Sequence, residues 1–172
     1  MNEDNHIGLL AIVFTVLAVA VCIIVFAFDG CKIEPIWEFD EIPDLGIQTV
    51  QDAMDWVSDE VRYVSDDIHY PADEYWQSTA QTYMWRCGDC EDYAILALYL
   101  IHRDVGIDGK LVMGSYDGHG HGWVLVDGHQ WESQTAQIVD GNPHYNIACT
   151  ISYEEVMRRA TTTHRAITKE EA

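Results

Sequence analysis

The spacing of apolar residues changes once along this chain, and the change limits the folds available to it. Between residues 47 and 68 the apolar side chains recur at steps of three and four, the period of an amphipathic helix. They are Ile47, Val50, Met54, Val57, Val61, Val64 and Ile68. From residue 110 onward the step falls to two, and the segments KLVMGSY, WVLVD, QWESQT and NIACTIS indicate strands. Helices followed by an antiparallel sheet predict an α+β domain.

Local signals set the expected ends of the helices. Thr49 with Asp52 predicts a capping box at the start of the first helix. Residues 70–84 read as a loop with at most one short helix. A second helix, apolar almost all round and so deeply buried, should begin at or just after Cys90 and end at Gly106.

The second half has its own signals. Asp127-Gly128 predicts a tight turn between two strands. Ser152 with Glu155 predicts the start of a last helix, YEEVMRRA.

The composition excludes some partners. The chain has 172 residues, which favours one domain, and 29 acidic against 9 basic side chains give a formal charge of −20. Phosphate binding needs clustered Lys and Arg, so nucleic acid and anionic membrane surfaces are not expected as partners. An acidic surface suits cationic ligands or solubility in high salt.

The N-terminal region contains an uncharged segment, Ile7–Phe28, of 22 residues. This length spans the ~30 Å hydrocarbon core as a helix, and the preceding MNEDNH lacks the basic residues of a secretory signal. We therefore expect an uncleaved single-pass anchor, with the remaining domain extracytoplasmic rather than facing the cytoplasm. The predicted organisation is a tail at 1–6, the transmembrane helix at 7–28, a linker at 29–46, the domain at 47–160 and a tail at 161–172.

The stretch Cys87-Gly88-Asp89-Cys90 allows several interpretations. With His119 and His121 it could form a Cys2His2 zinc site. A redox pair fits less well, because the second cysteine rather than the first abuts the helix. An odd count of five cysteines argues against a disulfide scaffold. The remaining disulfide alternatives pair Cys87 with Cys149 or with Cys31.

A nucleophilic role for Cys90 is the other interpretation. The N-terminus of a helix carries partial positive charge, which lowers the pKa of a thiol. Glu91 and Asp92 act in the opposite direction, so activation would need a nearby base.

His121 is the candidate base. If Asp127 and Gly128 form a two-residue loop, His121 shares a face of the sheet with Gln134, directly opposite, and with Glu132, on the diagonal. An acid or amide beside an imidazole fixes its tautomer. Cysteine, histidine and an orienting acid together form a thiol nucleophile system.

The segments YWQSTAQTYMWRCGDCEDYAILALYLIHRDVGI and HGWVLVDGHQWESQT resemble the transglutaminase-like superfamily. The resemblance is greatest to its short bacterial and archaeal cysteine proteinases and covers roughly residues 47–137. It implies a papain-like core with a Cys–His–Asp triad, in which Cys90 is the nucleophile and His121 the general base. The family's Asp is replaced here by Glu132, and Gln134 and Asp140 remain candidates for that role.

The resemblance implies two further features. An aromatic residue upstream of the cysteine, matched loosely by Trp76, contributes to the oxyanion site in some members, and the backbone N–H of Cys90 is the more general donor. No cofactor is required. Some bacterial relatives bind calcium through acids flanking the cysteine, and Asp89 and Glu91 are either such ligands or a solvated pair.

The expected function is therefore a membrane-anchored cysteine peptidase or amidase that acts on a protein or peptide through an acyl-enzyme. Two alternatives remain open. One is a protein-crosslinking transglutaminase with the same triad, and the other is a non-catalytic binding or metal module that keeps the fold.

Overall fold

The computed structural model describes residues 42–66 and 75–160. The predicted anchor at 7–28, both predicted tails and most of the predicted linker lie outside these residues. Within the described ranges, no helix is both long and apolar enough to cross a bilayer.

The helices lie mainly in the first half of the described chain. They are α1 (Val50–Glu60), α2 (Thr79–Trp85), α3 (Cys90–Leu100) and α4 (residues 153–160). Helix α3 continues as a π-helical turn (Ile101–Val105). The predicted capping box of α1 is confirmed: the Asp52 N–H donates to the Thr49 hydroxyl at 3.1 Å, and the Thr49 N–H donates to the Asp52 carboxylate at 2.9 Å. A second capping box, at the start of α2, uses Ser78 and Gln81.

The first helix is shorter than its apolar spacing predicts. It ends at Glu60, and the next residues form strand β1 (Arg62–Tyr63), which pairs in parallel with β2 (Cys87–Gly88). The backbone N–H of Arg62 donates to the Arg86 carbonyl at 2.9 Å, so the chain exchanges helical hydrogen bonds for bonds to a distant segment. Val61 stays buried because an extended residue can also point inward.

Helix α3, which is the second of the predicted helices, begins at Cys90, as predicted, and is buried almost throughout. Gly106, with φ +76°, ends the π-helical turn in the left-handed conformation that glycine adopts without strain. The π-helical turn itself was not predicted.

The second half forms one antiparallel sheet of five strands. They are β3 (Lys110–Tyr116), β4 (His119–Val126), β5 (His129–Glu132), β6 (Gln137–Ile138) and β7 (Tyr145–Ser152). Their order in the sheet is β6-β5-β4-β3-β7. The turn at Asp127-Gly128 is confirmed, with positive φ at both residues (52° and 79°). The short strand β6 was not predicted.

The main core lies between α3 and the sheet. Ile95, Leu96 and Leu98 of α3 are fully buried with Leu111 of β3 and Val124 of β4, and α1 covers another side of α3. The α+β architecture is therefore as predicted, and the packing holds the N-terminus of α3 against β4.

Candidate active site

The chain reaches Cys90 through a tightly constrained turn. Arg86 ends α2 in the left-handed region at φ +52°, and β2 then pairs with β1. A Cβ atom at Gly88 would lie 2.6 Å from the side chain of Asp92, so only glycine fits between β2 and the first turn of α3. These contacts fix where α3 begins.

Cys90 is the first residue of α3, and it lies against strand β4. Its thiol is 3.1 Å from Oε2 of Glu91, to which it donates. The backbone N–H of Gly122 donates towards the sulfur. A Cβ built on Gly122 would lie 3.4 Å from the Cα of Glu91, which shows how closely the helix approaches the strand.

The surroundings of the Cys90 thiol favour its protonated form. Burial raises the pKa of Cys90, and the negative charges of Glu91 and Asp89 raise it further. The hydrogen bond from the Gly122 amide acts in the opposite direction but is outweighed. Of the two acids expected to raise this pKa, Glu91 does so, whereas Asp89 takes the place of Asp92 and burial is the larger cause.

His121 and Glu132 form a close pair across β4 and β5. Nε2 of His121 is 2.6 Å from Oε2 of Glu132, and their side chains are only 13% and 6% exposed. The strand register has Val124 opposite Trp131, which places Glu132 diagonal to His121. The contact agrees with the face that the two residues were expected to share.

Two further donors hold the Glu132 carboxylate. The backbone N–H of Gln134 donates to Oε1 at 3.0 Å, and the hydroxyl of Tyr145 donates to Oε2 at 2.9 Å. Burial acts to raise the pKa of Glu132, but the hydrogen bonds from His121, Gln134 and Tyr145 bring it below the ordinary value. Glu132 is therefore a buried carboxylate that remains ionised.

Aromatic rings surround the imidazole of His121. Ring centroids of Trp123, Tyr145 and Tyr116 lie 5.8, 6.0 and 6.2 Å from that of His121. Trp123 is fully buried. These rings limit the directions in which the imidazole can turn.

A cluster of acids lies around the start of α3. Ligand atoms of Asp66, Asp89 and Asp92 come within 4.8 Å of one another, and so do those of Asp89, Cys90 and Glu91. Burial, followed by the charge of Glu91, raises the pKa of Asp89. Burial also raises the pKa of Asp92, although its carboxylate accepts the Gln77 N–H at 2.8 Å.

Some predicted site residues lie elsewhere or act differently. Oδ2 of Asp140 forms a hydrogen bond with Nδ1 of His129 at 2.6 Å. Within the described residues Asp140 therefore pairs with His129 rather than with His121. Gln134 follows the end of β5 in a turn and reaches Glu132 through its backbone rather than standing opposite His121. Trp76 is half-buried against the core, with the Arg159 guanidinium 5.8 Å from its ring.

The described part of the chain does not form the zinc site or the Cys87–Cys149 disulfide that were considered for the cysteine pair. His119 is exposed, and the candidate metal groups among the described residues do not join Cys87 and Cys90 with His119 and His121. The proposed zinc set is therefore not assembled. Cys87 and Cys149 are present as thiols, so the suggested disulfide between them is not formed.

Comparison with known proteins then identifies the family. The sequence model of the transglutaminase-like superfamily matches residues 40–141, more than half of the chain. The chain belongs to the transglutaminase-like superfamily. No curated protein gives a significant match to this transglutaminase-like chain.

Solved structures of LapG from Legionella pneumophila share the fold of this transglutaminase-like domain. One LapG structure is 15% identical, with a TM-score of 0.51, over 72% of this chain and 76% of LapG. The calcium-bound and EGTA-treated forms are each 17% identical, with TM-scores of 0.50, over 59% of this chain. The chain spans about three fifths of those two structures, at 62% and 61%.

Sequence reasoning missed some members of the site. Tyr145 lies on β7, two strands away from β4 in the sheet order, and its role is visible only once that order is known. Asp66 approaches Asp89 and Asp92 from a segment that was read as a continuing helix. The residues around Asp66 in the sequence do not indicate this contact.

Proposed function

We propose that this protein is a thiol hydrolase that cleaves amide bonds in proteins or peptides. Cys90 is the nucleophile, His121 the general base and then acid, and Glu132 the carboxylate that orients the imidazole. The observation that carries the proposal is the approach of Cys90 to β4 at Gly122, next to a histidine held by a buried carboxylate.

Acylation uses these three groups in order. Because Nε2 of His121 is engaged by Glu132, Nδ1 is the nitrogen that takes the Cys90 proton. The sulfur forms a bond to the substrate carbonyl carbon, and the carbonyl oxygen becomes an oxyanion near the backbone N–H of Cys90 at the helix terminus. The C–N bond then breaks as His121 gives its proton to the leaving amine, and a thioester remains.

Deacylation reverses the roles. His121 accepts a proton from water as the water oxygen attacks the thioester carbon. The C–S bond breaks, the carboxylic acid product leaves, and the proton returns to the Cys90 sulfur. A primary amine in place of water would give crosslinking by the same sequence of steps, so the acceptor decides between the two activities.

The full-length protein, purified in detergent, would be incubated with a peptide library with and without a primary amine. Mass spectrometry is expected to show cleaved peptides that depend on Cys90 and His121, with the amine making little difference. Cys149→Ser, which changes an exposed thiol on β7, is the matched control and should retain cleavage. Amine adducts without cleavage would favour crosslinking, and no product from the wild type would remove the proposal.

The acids flanking Cys90 are suited to hold a calcium ion. Ligand atoms of Asp89 and Glu91 lie within 4.8 Å of each other, and Oδ1 of Asp89 is buried with no hydrogen-bond donor among the described residues. Carboxylate oxygens are the ligands that calcium prefers, and LapG has been solved in a calcium-bound form. A bound ion would supply positive charge beside these two carboxylates.

The uncharged segment Ile7–Phe28 supports membrane attachment. We propose separately that the catalytic domain lies outside the cytoplasm. Fractionation of cells is expected to recover the protein in membranes, and deletion of residues 1–28 should release it. Protease added to intact cells should digest the domain. Protection of the domain would reverse the proposed orientation.

A further inference from the structure

We propose that Tyr145 is a positioning residue whose hydroxyl holds the Glu132 carboxylate in place behind His121. The inference rests on the proposed triad for its catalytic consequence. The hydrogen bond itself can be tested without any activity.

The geometry begins at the carboxylate. Oε2 of Glu132 accepts from both His121 and Tyr145, at 2.6 and 2.9 Å, while Oε1 accepts from the Gln134 amide at 3.0 Å. Three donors from three parts of the chain therefore converge on one buried side chain. A carboxylate held in this way has one preferred orientation.

A glutamate needs this support more than an aspartate does. Its side chain has an additional rotatable bond, and fixing it costs more conformational entropy. The resemblance noted in the sequence implies aspartate at the corresponding place, whereas this chain has Glu132. Tyr145 and the Gln134 amide supply contacts that restrict the longer side chain.

Tyr145 is itself held by its neighbours. It stands opposite Tyr116 in the pairing of β3 with β7, and the two rings are 4.8 Å apart. Its ring also meets Trp123 edge-on at 5.3 Å. The hydroxyl thus reaches Glu132 from the far side of β3 and β4, and it ties β7 to β5 across the sheet.

The Tyr145 hydroxyl is the donor in this contact. Burial raises the pKa of Tyr145, and the adjacent charge of Glu132 raises it further. The phenol proton therefore stays on Tyr145 and points at the carboxylate.

The test compares Tyr145→Phe with Tyr153→Phe in the full-length protein. Tyr153 is a half-buried tyrosine at the start of α4 that stacks on His102, so its substitution removes a hydroxyl away from Glu132. Carbon NMR of the glutamate carboxyl groups would follow the titration of Glu132. Tyr145→Phe is expected to raise the pKa of Glu132 by about 1 unit, because it removes a donor that stabilises the ionised carboxylate. Tyr153→Phe should leave this pKa unchanged.

Kinetics on a cleaved peptide give the second readout. Tyr145→Phe is expected to lower kcat about tenfold while KM stays within about twofold, because orientation of the imidazole matters most in the transition state. In a Glu132→Asp background the same substitution should have a smaller effect, since the shorter carboxylate depends less on the hydroxyl.

An unchanged Glu132 pKa in Tyr145→Phe would overturn the proposal, whereas a raised pKa in a protein without hydrolase activity would retain the contact and remove the proposed function. If Tyr145→Phe does not fold, 3-fluorotyrosine at position 145 provides the opposite change. Its more acidic hydroxyl should lower the pKa of Glu132, and no shift would again overturn the proposal.

Discussion

Nε2 of His121 lies 2.6 Å from Oε2 of Glu132, and the two residues belong to neighbouring strands joined by the Asp127-Gly128 turn. The turn sets the register of β4 and β5, and the register brings the two side chains together. Because the carboxylate remains ionised, it is suited to stabilise the imidazolium that would form in the proposed reaction.

Glu132→Gln should reduce kcat/KM by about 10² to 10⁴, because an amide of nearly the same shape lacks the charge that supports the imidazolium. Steady-state kinetics on a cleaved peptide would measure the loss. Glu154→Gln, the same change at an exposed acid on α4, is the control and should be nearly silent. A loss of less than about threefold in Glu132→Gln would contradict a catalytic role for this acid.

Glu91→Gln should make Cys90 react with iodoacetamide about tenfold faster at neutral pH when metal is chelated. The substitution removes a negative charge that raises the pKa of the thiol, so more thiolate is present. Mass spectrometry of the Cys90 peptide would give the rate. Glu154→Gln serves again as control, and equal rates in both variants would show that Glu91 does not restrain the thiol.

Asp89 should make the metal-free protein less stable as pH rises. Burial and the charge of Glu91 raise the pKa of Asp89 to about 8, above its value in the unfolded chain. Its contribution to stability is thus fully present below an unfolded pKa of about 4 and is lost as pH rises through the folded value. Thermal unfolding of Asp89→Asn at pH 8 to 9 should therefore show a Tm higher by about 3 °C.

The same variant tests calcium binding. Calcium should raise the Tm of the wild type and of Asp59→Asn, an exposed acid on α1, and should leave that of Asp89→Asn unchanged. A calcium response retained in Asp89→Asn would assign any bound ion to other ligands.

Gly122→Ala should be tolerated, and Gly114→Ala should not. A Cβ at Gly122 would make ordinary contacts at 3.4 to 3.6 Å with Glu91, and glycine within a strand costs about 0.5–1 kcal/mol. At Gly114 the Cβ would lie 2.1 Å from the Asn146 carbonyl oxygen and 2.7 Å from the Trp123 ring. Urea unfolding should give unchanged or higher stability for Gly122→Ala and a large loss for Gly114→Ala; the reverse order would refute the packing described around β4.

Much of the fold could be predicted because its signals are local. The Thr49 and Asp52 capping box, the apolar helix from Cys90 and the turn at Asp127-Gly128 each depend on a few adjacent residues. The diagonal contact of His121 with Glu132 followed from that turn, since a two-residue loop fixes which residues share a face.

Features that depend on distant contacts could not be predicted. The end of α1 is set by the pairing of β1 with β2, and the apolar spacing through Val61 and Val64 gives no sign of it. Tyr145 reaches Glu132 only because β7 lies beside β3, a neighbour that the order of residues does not reveal. The raised pKa of Cys90 likewise required knowledge of burial, which outweighs the hydrogen bond from the Gly122 amide.

The parallel pairing of Arg62–Tyr63 with Cys87–Gly88 joins the end of α1 to the segment that leads directly into Cys90. These four residues are remote in sequence from β4, yet they anchor the end of α3 from which the Cys90 sulfur meets that strand. A substitution that weakens this short pairing should therefore change the reactivity of Cys90 without touching the thiol itself.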